Sequence, residues 1–321
     1  MQLYPLKFQP ELKERVWGGR SLERFGLQLP AGPIGEGWMI GDHPHGTTTV
    51  KNGAYSGLKL SELRQKLGAA LLGDKGAASK NGQFPLLVKL LDCEDDLSVQ
   101  VHPHDDYKGL PEGELGKTEM WYILDAKPGA KIIYGLKPGI DRDQLKQAIN
   151  EGRIMDCLQE VPVQAGDSFY IPAGTVHALG SGVLVAEVQQ NSDTVYRLYD
   201  YNRPGLDGKP RELHIKESLE VIAYDGTGAT RMTTEISKPH EWLKLAHSPY
   251  FIVEKGVLDG SWALATSSDS FVILIVGEGQ GSIHWGGESL PLNAGECLLL
   301  PAQLGAYRLE GKATLLRSYL P

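Results

Sequence analysis

This chain has little cysteine, no long apolar run and no surplus of positive charge, and each shortage closes off a class of protein. Its three cysteines, Cys93, Cys157 and Cys297, are odd in number, far apart and in no paired spacing. That pattern fits ordinary thiols in a reducing compartment better than a disulfide scaffold. No run reaches the ~18 apolar residues a spanning helix requires, and Met1-Gln-Leu-Tyr-Pro-Leu-Lys7 lacks the charged-then-apolar pattern of a signal peptide. The expected location is therefore cytoplasmic, with no membrane partner. Lys and Arg number 32 against 40 Asp and Glu, a net charge of -8, which argues against a nucleic-acid partner. Any anionic ligand must then meet a locally positive pocket. A glycine-rich phosphate loop is also missing, so a bound phosphate has to be held by side chains.

What is present points to a β-rich protein. With 321 residues and 41% hydrophobic content the chain can bury one or more cores, and two domains are the reasonable expectation. The 39 glycines and 19 prolines fall in short clusters between apolar runs of strand length, at 84–91, 270–276 and 297–300. Helices read as insertions. One is predicted over 61–72, where Leu63, Leu67 and Leu71 recur behind a Ser61 cap, and others over 143–150 and 213–223.

The run Leu97-Ser-Val-Gln-Val-His-Pro103 carries the most chemistry. In an extended strand Ser98, Gln100 and His102 share one face while Leu97, Val99 and Val101 line the other. Glu119, in Gly116-Lys-Thr-Glu-Met-Trp-Tyr-Ile-Leu124, shares a face with Lys117 by the same alternation, and His177 follows the turn Pro172-Ala-Gly174. Gln100, His102, Glu119 and His177 make a mixed nitrogen and oxygen set suited to a divalent metal, zinc first and manganese, iron, cobalt or nickel next. His104 would join the face of His102 if the strand continued, but Pro103 is expected to end it and leave His104 in a solvated loop.

An internal repeat accompanies this set. Ala165-Gly-Asp-Ser-Phe-Tyr-Ile-Pro-Ala-Gly-Thr-Val-His177 aligns without gaps on Ala294-Gly-Glu-Cys-Leu-Leu-Leu-Pro-Ala-Gln-Leu-Gly-Ala306, as two copies of one supersecondary unit would. Ala306 stands where the first copy has His177. One metal per chain, held by the first copy, is the expectation.

Taken in order, Arg15-Val-Trp-Gly-Gly19, Gly35-Glu-Gly-Trp-Met39, His43-Pro-His-Gly46, Phe84-Pro-Leu-Leu-Val-Lys89, Lys117-Thr-Glu-Met120 and Asn191-Ser-Asp-Thr-Val-Tyr-Arg197, with the runs ending at Pro103 and His177, resemble the type I mannose-6-phosphate isomerases in their short bacterial form. The likeness covers most of the first ~230 residues and is weaker beyond. It departs at His104, where the family usually has Asp, and at Gly37. The resemblance implies an all-β fold with helical insertions: two cupin-like jelly-roll barrels, a catalytic one over 1–235 and a smaller, degenerate one without a metal site over 236–321. It further implies that Gln100, His102, Glu119 and His177 hold zinc and that Arg197 is catalytic. Glu187 and Lys117 are expected beside it at the reacting carbons, with Trp17, Glu36, Lys89 and Ser98 in the substrate pocket.

Aldose–ketose interconversion moves a proton between C1 and C2 while a neighbouring oxygen takes negative charge. A metal or the fork of Arg197 can hold that charge, and Glu187, Glu36 or a metal-bound water can serve as base. Lys89 is the single charge in Leu86-Leu-Val-Lys-Leu-Leu91. Burying it unpaired is costly, so it must snorkel or meet an anion, and with Ser98 and Lys117 it could hold a sugar phosphate. Two rivals share these residues: an iron oxygenase using two His and a carboxylate, and a catalytically silent sugar-phosphate sensor.

Overall fold

The computed structural model describes residues 3–79, 82–225, 231–233 and 238–321. It is mostly β, with four α-helices among the described residues. The apolar runs form strands Leu86–Cys93, Val272–Trp285 and Cys297–Leu300. Leu86–Cys93 is buried along its whole length, as expected of a strand covered on both faces.

Two sheets frame the site. Seven strands run in the order Arg231–Thr233, Asp167–Ile171, Glu119–Ala126, Val183–Gln190, Leu86–Cys93, Glu11–Gly19 and Ile34–Ile40. Five more run Leu158–Pro162, Lys131–Leu136, His177–Leu179, Val99–Val101 and Tyr196–Tyr199. A third sheet is built mainly from strands after residue 241, such as Ile252–Ala265 and Ala306–Tyr319, yet it includes Leu6–Gln9, which lies beside Cys297–Leu300 with Leu6 opposite Leu299. Lys7 reinforces that join by an ion pair with Glu296 at 2.6 Å. As hydrogen-bonded, no sheet closes into a barrel among the described residues. The predicted boundary at 235/236 lies outside the described residues.

The first helix departs from expectation. Instead of one helix over 61–72 there are two, Leu60–Leu67 and Ala69–Ala77, broken at Gly68 with φ +51. Ser61 is not its cap; the Glu62 carboxylate accepts the Lys59 N–H at 2.8 Å, while Ser61 lies inside the first turn. Leu63, Leu67 and Leu71 are buried as predicted. Within the second helix Gly73 turns to φ +72, and a Cβ there would meet the Asp269 carbonyl at 2.4 Å, so only glycine lets the helix dock on the turn before Phe271. The other helices, Arg142–Asn150 and Ile215–Val221, fall inside or within one residue of their expected spans. Asp141 and Gln144 form a reciprocal capping box on the former.

Both copies of the repeat take the same local form. In each, the acidic side chain accepts a backbone N–H from three residues earlier, Gln164 to Asp167 at 2.9 Å and Asn293 to Glu296 at 2.8 Å. Each turn passes through a left-handed glycine, Gly166 or Gly295, into a short strand and then proline.

Candidate active site and metal centre

Strand register assembles the site. His177 and Arg197 lie on the two strands flanking Val99–Val101, and both pair with Gln100, so all three occupy one row across the five-stranded sheet. Pairing in the seven-stranded sheet places Trp121 opposite Glu187, Glu187 opposite Lys89 and Lys89 opposite Trp38. Directly opposed residues share a face. Glu119 is two residues before Trp121 and therefore on that face as well.

Glu119 reaches across to the five-stranded sheet, its carboxylate oxygens 3.3 Å from His177 Nε2 and 3.5 Å from His102 Nε2. Gln100 Nε2 lies 3.3 Å from the same His177 nitrogen, and exchanging the near-isosteric ends of the amide turns its oxygen there. All three separations match the edge of about 3.3 Å that bonds of roughly 2.0–2.1 Å give a tetrahedron. His102, Glu119 and His177 are buried, and both ring nitrogens of His102 and both oxygens of Glu119 lack hydrogen-bond partners. Orphaned buried polar atoms are costly unless something coordinates them. The His177 tautomer fits as well: Nδ1 donates to the Thr175 carbonyl at 2.9 Å, which leaves the Nε2 lone pair for a metal.

Electrostatics favour ligand forms. Burial, with help from Lys117, brings His102 down to about 3 against the opposing charge of Glu119. His177 is lowered by burial too. Burial alone would raise the Glu119 carboxyl, but Lys117, 3.1 Å away, and the two imidazoles overcome it and hold it well below the usual range. The donor set therefore fits a divalent metal. His104 stays out of it, exposed in the loop after Pro103; the strand has ended at Val101.

A cleft of about 530 Å³ opens beside this centre, and Gln100 and Lys117 line it. So do Trp17, Glu36, Lys89, Ser98, Glu187 and Arg197; the structure brings every sequence-predicted pocket residue to one place. Trp17 is accommodated because residue 35 is glycine, whose Cβ would lie 2.5 Å from the indole. Lys89 is buried, 3.6 Å from Glu36 and 3.4 Å from Glu187, so the lone charge of its apolar run meets two anions. Burial would lower its ammonium, but Glu36 and Glu187 overcome that and raise it.

The two cleft carboxylates differ. Glu36 accepts from Arg15 at 2.6 Å and from the Trp38 indole at 2.8 Å. Burial works to raise it, yet Lys89 and Arg15 hold it at about 2. Glu187 accepts only the Trp121 indole N–H, at 2.8 Å, and its other oxygen has no hydrogen-bond partner. Burial first, then the charge of Glu119, raises its carboxyl despite Lys89. Arg197 donates from Nε to Ser98 at 3.2 Å and from Nη1 to the Glu212 carbonyl at 2.7 Å. Burial and the neighbouring Arg211 lower it from its ordinary value, and arginine remains charged.

Sequence reasoning missed Arg15, Asp193 and Arg211, which also line the cleft. Arg211 arrives on a loop and is gripped at both Nε and Nη2 by Asp200, at 2.6 and 2.5 Å. Asp193 stood inside a recognised motif, but nothing in its spacing said that it would face the cavity.

Comparison with known proteins comes to the same place. The family described as phosphomannose isomerase type I, catalytic domain, matches residues 5–128, and the mannose-6-phosphate isomerase cupin domain matches residues 242–320. A mannose-6-phosphate isomerase of Bacillus subtilis is 44% identical, with 100% of each chain covered. One from Streptococcus mutans is 39% identical over 98% of each. The crystal structure of the mannose 6-phosphate isomerase from Bacillus subtilis superimposes with a TM-score of 0.84 at 37% identity, covering 98% of this chain and 99% of that one.

Proposed function

The chain belongs to the type I mannose-6-phosphate isomerase family, and from that premise we propose that its cleft interconverts mannose 6-phosphate and fructose 6-phosphate through an enediol. The observation that carries the proposal is the meeting of a raised carboxyl with one unbonded oxygen, Glu187, and a guanidinium, Arg197, beside a donor set that fits a divalent metal.

Glu187 is the base that moves the proton between C1 and C2, because its free oxygen is available and its raised carboxyl is closer to the working range of a general base. Glu36 is fully committed to Arg15, Trp38 and Lys89 and serves to keep Lys89 charged and in place. Lys89 in turn steadies Glu187 electrostatically, and Lys117 does the same for Glu119. Arg197 directs its donors to the oxygen that gains charge in the enediolate. Gln100, His102, Glu119 and His177 would hold zinc, one ion per chain, and when bound it supplies Lewis-acid polarisation of an oxygen.

For the phosphate, Ser98 and the Arg211 guanidinium at the cleft are better placed than Lys89, which is buried between two carboxylates. Trp17 closes the apolar side of the pocket. We take the chain as a catalytic jelly-roll unit over 1–235 and a smaller one over 236–321 in which Ala306 replaces the ligand His177. Three buried free thiols agree with a cytoplasmic protein.

A coupled assay with mannose 6-phosphate, run beside elemental analysis, tests this reading. Turnover should track about one metal per chain and vanish with it in His177→Ala. Metal-loaded protein that leaves mannose 6-phosphate unchanged would overturn the function, and full occupancy in His177→Ala would overturn the ligand set.

A further inference from the structure

Outside the metal centre, one other group of potential ligands gathers among the described residues: His43, His45 and Glu114. Its composition suggests a second metal, but its hydrogen bonds oppose one. His43 Nδ1 accepts the His45 backbone N–H at 3.1 Å. A neutral imidazole must then carry its proton on Nε2, and that nitrogen lies 3.1 Å from Glu114 as a donor. His177 shows the opposite polarity, with Nδ1 donating and Nε2 free. The group is thus a closed hydrogen-bonded clasp.

The clasp gathers three loops. Glu114 Oε2 also accepts from the Asp193 N–H and the Thr194 hydroxyl, at 3.4 and 3.3 Å. Ser192 donates to the Leu115 carbonyl at 2.8 Å. His45 is itself steadied by Lys13, which donates to its carbonyl at 2.8 Å. Although its side chain is 62% exposed, its Nδ1 meets Asp193 Oδ2 at 2.9 Å. Asp193 lines the cleft and sits four residues before Arg197.

We propose that His45 is a positioning residue for the isomerase: it fixes the Asp193 carboxylate at the cleft wall, where Asp193 accepts hydrogen bonds from hydroxyls along the sugar chain. Glu114 and His43 hold the backbone of the same segment, so His45 needs only to set the side chain. One oxygen of Asp193 is taken by the imidazole, and the carboxylate is thereby oriented with the other available to substrate. The inference rests on the function proposed above.

A double-mutant cycle on the metal-loaded full chain tests it. His45→Leu should raise KM for mannose 6-phosphate by about tenfold with kcat nearly unchanged, the scale of one misplaced hydrogen bond. Thermal midpoint and metal content should stay at wild-type values. His45→Asn, whose amide N–H can stand in for Nδ1–H, should recover most of the loss. In an Asp193→Asn background, His45→Leu should cost nothing further. Should His45→Leu lower the thermal midpoint, His45→Ser, polar but too short to reach Asp193, takes its place in the cycle. Wild-type KM in His45→Leu, losses that add to those of Asp193→Asn, or no recovery with asparagine would each overturn the proposal. Failure of the unmutated protein to turn over mannose 6-phosphate would instead remove the function on which it rests.

Discussion

Glu187 takes the Trp121 indole N–H on one carboxylate oxygen at 2.8 Å and leaves the other without a hydrogen bond, 3.4 Å from the Lys89 ammonium. Glu187→Gln keeps the shape and the indole partner but cannot take a proton. Turnover should fall by roughly 10²–10⁴-fold, the usual worth of a positioned base, with metal content unchanged. Lys89 opposes the upward shift of Glu187, so Lys89→Met should let that carboxyl rise further. Since the base must be deprotonated, the acid limb of kcat/KM should then move to higher pH. An acid limb that stays in place or moves down would separate Lys89 from Glu187.

Arg197 should separate chemistry from metal binding. Arg197→Ala removes a charged donor at a developing oxyanion, a loss of about 10²-fold or more in turnover, while elemental analysis should show the wild-type metal content. Arg197→Lys should rescue poorly because the ammonium lacks the fork that reaches Ser98 and the Glu212 carbonyl together. Near-normal turnover in Arg197→Ala would take the residue out of the mechanism.

Arg211 should read the phosphate. Charge-assisted bonds of roughly 1.5–3 kcal/mol each imply that free mannose loses several decades of kcat/KM relative to mannose 6-phosphate. Arg211→Met should then weaken the phosphorylated substrate by about tenfold or more and leave the poor rate with mannose almost unchanged. Equal losses on both would show that Arg211 merely braces Asp200.

Lys7 and Glu296 form a largely buried ion pair, and removing one partner strands the other. Lys7→Met alone should cost roughly 3–5 kcal/mol, whereas Lys7→Met with Glu296→Leu should recover much of it. Urea midpoints of the single and double variants provide the measurement. A harmless single substitution would mean that water reaches Glu296 and the pair stabilises little.

Local pattern was enough to single out some of the residues that strands carry. Alternation placed Gln100 and His102 on one face and Lys117 with Glu119 on another. The isolated charge of Lys89 left snorkelling and an anion open, with a sugar phosphate as the expected partner, and in the structure it meets two carboxylates instead. The family likeness added Glu187, Arg197 and the rest of the pocket. Arg211 escaped because it reaches the cleft from a loop, where no periodicity reports direction; Arg15 stands two residues before Trp17 in the strand Glu11–Gly19, and the same alternation would have placed it beside that pocket residue. The helix over 61–72 was right in its buried leucines and wrong in its continuity: a glycine at 68 is permitted in either a long helix or a break, and docking of the second segment on Asp269 decides for the break. The likeness already put Glu187 at the reacting carbons and Glu36 in the pocket wall, and the distances supply a physical reason: Glu36 is bonded to Arg15 and Trp38, whereas one Glu187 oxygen has no hydrogen bond.

Residues 289 apart in sequence meet where Lys7 reaches Glu296, and the strand Leu6–Gln9 has neighbours on both sides, Cys297–Leu300 and Thr49–Val50. During synthesis Lys7 of this strand leaves the ribosome 289 residues ahead of Glu296, which directly precedes one of its two partner strands. Thr49–Val50 can shelter one edge early, but the other edge stays open until Cys297–Leu300 has been made, exposing unpaired N–H and C=O groups to any passing strand. Contacts of such long sequence separation also slow folding. The protein should therefore be most prone to aggregation as a nascent or C-terminally truncated chain, and a stop codon just before Cys297 should yield insoluble product even though every residue of the cleft is already present.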